Sequence, residues 1–96
     1  MIFWTKLFID RLKDGPMAKN ELIQSLCNEI PPELAFRTYK HWQEMRIKRG
    51  KVKKVIGART SDIIAARIGL VRNQIFVQER NGHIITDGDN IIRLIC

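Results

Sequence analysis

The sequence predicts a small α+β domain: three to four helices followed by a C-terminal antiparallel β-hairpin or meander. Two observations carry this. Apolar residues recur at helical spacing through about residue 73, and the last 22 residues switch to short β-rich runs separated by Asn-Gly and Asp-Gly turns. A third is length, since 96 residues support one core and leave no room for a second cofactor-binding domain.

The first helix is expected over residues 2 to 13, where Trp4, Leu7, Phe8 and Leu12 share a face and Lys6, Asp10 and Lys13 fall elsewhere. Lys6, Asp10 and Arg11 interrupt the apolar run, and no small-residue cleavage site follows, so it reads as a core helix and not a signal sequence. Asp14-Gly15-Pro16 ends it. A second helix, from about Lys19 to Asn28, gathers Leu22, Ile23, Leu26 and Cys27 on one side. Pro31 and Pro32 suit the first turn of a third helix running to about Lys48, with Ala35, Tyr39, Trp42 and Met45 inward and Arg37, Lys40, Glu44 and Lys48 outward. Phe36, Tyr39 and Trp42 are either core aromatics or stacking platforms for exposed bases. Gly50 closes that helix. Lys51 to Gly57 follows as a basic connector or short strand, pinned by Val52, Val55 and Ile56.

A fourth helix starts at Thr60 or Ser61, either of them a suitable N-cap, and is expected to end near Asn73. Its core side is read as Ile64, Ile68 and Val71. The far side collects Asp62, Ala65, Ala66, Gly69 and Asn73, small enough for close approach of another helix or a nucleic-acid groove. Strands are then expected at 75–80, 83–86 and 91–95, with turns at Asn81-Gly82 and Asp87-Gly88-Asp89-Asn90. A rival parse runs the fourth helix on to Arg80, uses Asn81-Gly82 as its C-terminal cap and leaves one hairpin turning at 87–89. Gln78 near the apolar side of so long a helix argues for the shorter version.

Charge is the strongest functional signal. Lys and Arg number 17 against 10 Asp and Glu, a net +7. Seven of the positives, Arg46, Lys48, Arg49, Lys51, Lys53, Lys54 and Arg59, fall in one run without a carboxylate. The rest of the chain balances to zero, so the excess is a block and points to an anionic partner or a solvated basic loop. Two cysteines, Cys27 and Cys96, make no disulfide framework or metal knuckle. Asp87 and Asp89 are turn residues first, and His41 with Glu44 lacks the second pair that a metal or acid–base site needs. No phosphate loop or nucleophile motif is present, so a non-enzymatic protein without cofactor or metal is expected, cytoplasmic and without a membrane partner.

Helices, a basic approach, and then the run Leu70-Val71-Arg72-Asn73-Gln74-Ile75-Phe76-Val77-Gln78-Glu79-Arg80-Asn81-Gly82 resemble a recognition helix entering a wing. In this the chain resembles the winged helix-turn-helix superfamily of DNA-binding domains, and it looks like the short winged-helix proteins of bacteriophages and prophages. The resemblance departs from the usual pattern between the second and recognition helices, where about 30 residues intervene. Either the third helix is an insertion or it is itself the second helix of the motif. The resemblance implies a regulatory protein of double-stranded DNA, with Thr60, Ser61, Ala65 and Arg72 facing the major groove. It also implies that Arg80, Asn81 and His83 reach backbone or minor groove from a hairpin tip, and that Arg59 holds a phosphate or reads guanine. The alternative is a protein-interaction module on the same scaffold. Ile2, Phe3, Ile9 and Trp42 are more apolar surface than a small monomer readily hides, which suggests a homodimer.

Overall fold

The structure, a computed structural model, describes residues 2–50 and 59–95. It is α+β, with four helices and a three-stranded antiparallel sheet: α1 (Trp4–Leu12), β1 (Met17–Ala18), α2 (Lys19–Cys27), α3 (Pro32–Lys48), α4 (Thr60–Arg80), β2 (Ile84–Thr86) and β3 (Ile91–Leu94). The expected basic connector, with Lys51, Lys53, Lys54, Val52, Val55 and Ile56, lies outside the described residues.

The first three helices stand close to where their sequence signals place them, although of the row expected inward on α3 only Ala35 is buried and Trp42 is exposed. Phe8 and Leu12 of α1 are buried, with Trp4 and Leu7 packed beside them. Pro31 is the N-cap of α3 and Pro32 its first residue, positions where a missing N–H costs nothing. Gly50 stands at φ 74°, and its N–H bonds to the Ile47 carbonyl to finish α3.

Three expectations are corrected. The first concerns α4, which does not stop near Asn73 but runs to Arg80, so no strand forms over 75–80. Asn81-Gly82 is its cap and not a hairpin turn. Gly82, at φ 80°, donates to the Glu79 carbonyl and His83 donates to the Gln78 carbonyl, the paired bonds of a Schellman ending. The objection that Gln78 would fall on the apolar side fails because its side chain, though buried, is partnered at both its oxygen and its nitrogen. Its Oε1 accepts from Thr5 Oγ1 at 3.1 Å and lies 2.7 Å from His83 Nδ1, while Nε2 donates to Gln74 Oε1 at 3.4 Å.

Secondly, the three-stranded sheet is not a C-terminal meander. Its third strand is β1, two residues long and invisible to any periodicity argument, which pairs Met17 with Ile92 and Ala18 with Ile91. The sheet order is β1-β3-β2, and Ile84 and Ile92 face inward into a core shared with Leu22, Leu26, Val71 and Ile75. Each such side chain contributes about 1.5–3 kcal/mol on burial.

The third correction is the phase of α4. Ile64, expected inside, is half exposed, and Ala66, expected outside, is fully buried. The cause is α3. A Cβ built on Gly69 would stand 2.3 Å from Cη2 of Trp42, so the indole rests on the bare backbone of α4. Arg67 Nε donates to the Ile30 carbonyl at the entry to α3. α3 thus packs on α4 through the Trp42 ring at Gly69, beside the buried Ala66. The small stripe at Ala66 and Gly69 serves helix packing, leaving Ala65 exposed.

Candidate nucleic-acid interface

Ser61, Ala65 and Arg72 are all exposed on α4, and their spacing puts them on one face. Thr60 is exposed at the start of the same helix. The face continues one turn past Arg72 to Phe76, 63% exposed, and is flanked by Ile64. From Ser61 to Phe76 this stripe carries no carboxylate. Asp62, the nearest one, is turned to helix capping, where its Oδ2 accepts the Arg59 backbone N–H at 2.9 Å.

Arg46, Lys48 and Arg49 are exposed in the last turn and cap of α3, and Arg59 is exposed at the N-cap of α4. None has a carboxylate within ion-pair distance among the described residues, where the ion pairs are Arg11–Glu29 and Arg93–Asp87. Lys51, Lys53 and Lys54 lie outside the described residues.

The second half of the expected site is not where the sequence placed it. Arg80, Asn81 and His83 sit on the C-terminal turn of α4 and just beyond it, not at a hairpin tip. His83 is tied back to Gln78; because Gln78 Oε1 can only accept, Nδ1 carries the proton in that bond. The tip is Asp87-Gly88-Asp89-Asn90. There the Asp87 Oδ1 accepts the backbone N–H groups of Asp89 and Ile91, and Oδ2 pairs with Arg93. The Ile91 and Asp89 N–H bonds, helped by Arg93, hold the Asp87 carboxyl below its ordinary value of 3.8. A turn that carries two carboxylates repels phosphate.

Sequence reasoning missed Arg67 and Phe76. Phe76 stands four residues after Arg72, so continuing the helix to Arg80 would have placed it on the same face. Arg67, with Ile64 and Ile68, forms one wall of a groove of about 430 Å³ whose other wall is Gln24, Cys27 and Asn28 of α2. Burial pushes the Cys27 thiol up, with the Arg67 charge opposing it.

Among the described residues no cluster of three His, Cys, Asp or Glu could hold a metal, and no helix is long and apolar enough to cross a membrane. No family model, curated protein or solved structure matches the chain.

Proposed function

We propose that this chain is a non-enzymatic DNA-binding protein of winged-helix type with a regulatory role, gripping duplex DNA mainly through its phosphates. The observation that carries the reading is the exposed basic residues at the end of α3 and the start of α4, without ion-pair partners among the described residues, together with the stripe of α4 from Ser61 to Phe76 that carries no carboxylate. The fold supports it: α1, β1, α2, α4, β2 and β3 follow in winged-helix order, α2 packs directly on α4, and β1 joins the hairpin through β3. On this reading α3 is the inserted helix, packed on α4.

Arg46, Lys48, Arg49 and Arg59 neutralise phosphates, with Lys51, Lys53 and Lys54 adding to the same block by sequence. Ser61, Ala65 and Arg72 face the groove, and Arg72 is the one side chain among them able to read guanine through paired hydrogen bonds. Arg80 and Asn81 contact backbone at the far end of α4. The acidic hairpin turn takes no part in holding phosphate.

Fluorescence anisotropy against random duplex DNA, single-stranded DNA and duplex RNA, each at two salt concentrations, tests this. Micromolar duplex binding whose log affinity falls against log salt with a slope of about −4 to −5 supports the reading. No binding to any of the three at low salt overturns it and favours the second reading, a protein-interaction module, to which the exposed Ile64 and Phe76, on either side of the Ser61–Arg72 stripe, already speak.

A further inference from the structure

The exposed side of α1 is a narrow stripe with a self-complementary pattern. Phe3 at the N-cap is 67% exposed and Ile9 45% exposed, and Lys6, Asp10 and Lys13 are exposed beside them. At 100° per residue these five span an arc of about 120°. Ile2, Phe3 and Lys6 line two adjoining clefts of about 310 and 560 Å³ along this stripe. Lys6 and Asp10 are one turn apart, yet they form no ion pair with each other or with other described residues.

We propose that this face of α1 is the interface of a symmetric homodimer in which two copies of α1 pack antiparallel. A two-fold axis beside Phe8 sets Lys6 opposite Asp10 of the second copy and Asp10 opposite its Lys6. The same axis sets Phe3 against the stem of Lys13, again twice. An isologous interface requires this reciprocity, and the order apolar, basic, acidic, basic along the helix supplies it. Another partner would need the complementary pattern by coincidence; a second copy has it by symmetry. Phe3 and Ile9, at the two edges of the stripe, supply its apolar contact, and Lys6 and Asp10 between them fix register and the antiparallel sense. Two short helices bury less than a standard interface, so the dimer forms at micromolar concentration and not below.

The proposal stands apart from DNA binding, because oligomeric state is read without nucleic acid. Sedimentation equilibrium over a concentration series is expected to show a monomer–dimer equilibrium. Lys6→Glu puts two carboxylates opposite each other, and Asp10→Lys puts two amines opposite each other; each is expected to weaken self-association about tenfold or more. Mixing the two single variants restores opposite charges at both contacts and recovers the dimer, as does the double variant K6E/D10K. Phe3→Ser improves the helix cap while removing the apolar anchor, so it is expected to leave the fold at least as stable and the dimer weaker. A wild-type chain that stays monomeric at several hundred micromolar overturns the proposal. So does a dimer that the single charge reversals leave unchanged.

Discussion

The two halves of α4 are held by different physics. Around Ala66 and Gly69 the helix is gripped through close contact: a buried alanine, a bare glycine under the Trp42 ring, and one hydrogen bond from Arg67 to the Ile30 carbonyl. About 18 Å further along, near Gln78, it is gripped through polar partners. There Thr5, Gln74 and His83 surround a buried amide, Thr86 donates to Glu79 Oε1, and the adjoining hairpin turn is organised by Asp87. The electrostatics differ in the same way. Near the hairpin, Asp87 is matched by Arg93, whereas Arg46, Lys48, Arg49 and Arg59 have no such partner among the described residues. A protein neutralises charge it uses for its own structure and leaves unpaired the charge it offers elsewhere.

Substitutions at the two ends of α4 separate these roles. The largest effect is expected from Gly69→Val, whose branched side chain displaces the Trp42 ring from its seat on α4; loss of about 2 kcal/mol in denaturant unfolding follows, even though glycine is a poor helix former. At the other end, Gln78→Leu keeps the volume but strands the partners of a buried amide. A loss of about 1–2 kcal/mol is expected, measured by thermal unfolding. An unchanged midpoint would mean that water satisfies Thr5 and His83 as well as Gln78 does. Arg72→Ala leaves stability within about 0.5 kcal/mol, but is expected to flatten sequence preference at one base pair by about 1–3 kcal/mol in a site-selection experiment. If preference is unchanged, readout is through DNA shape.

The smallest effect belongs to the hairpin turn. Because the Asp87 carboxyl is held down in the folded state, its stabilisation is complete above the ordinary value of 3.8 and is lost as pH falls from there through the depressed folded value. Asp87→Asn removes the titrating group, so it is expected to flatten the acid side of the stability profile in that window and to lower stability modestly at pH 7, where the wild-type carboxylate contributes in full. An acid limb identical to wild type would remove Asp87 from the turn's energetics.

Much of this was legible in the sequence, and the failures have definite causes. The bounds of α2 and α3 follow from their apolar spacing, from Pro31-Pro32 and from Gly50, all signals that act within a turn or two of the residue concerned. The end of α4 was misjudged because the partners of Gln78 come from Thr5, at the other end of the chain, and from His83 beyond the cap. Asn-Gly serves helix ends as well as hairpins, and the choice between them depends on that distant partner. The phase of α4 is not legible because Ala66 and Gly69 are small, and only packing against distant residues such as Trp42 of α3 turns that side inward. β1 has two residues, too few for any pattern. For the candidate site, the basic run was plain in the sequence because charge needs no fold to be counted. The position of Arg80, Asn81 and His83 was not, since it depends on where α4 stops.

The central claim is that the basic residues beside the α3–α4 connection, and not the hairpin, hold DNA. The direct measurement is the salt dependence of duplex binding for wild type, for the triple reversal of Arg46, Lys48 and Arg49 to Glu, and for Asp89→Lys. The account predicts a shallower slope for the triple variant, by about 3 units, with affinity down about two to three orders of magnitude near 0.1 M salt. Asp89→Lys should leave both nearly unchanged. A triple variant that binds like wild type, or a slope that steepens by about a unit on Asp89→Lys, would contradict it.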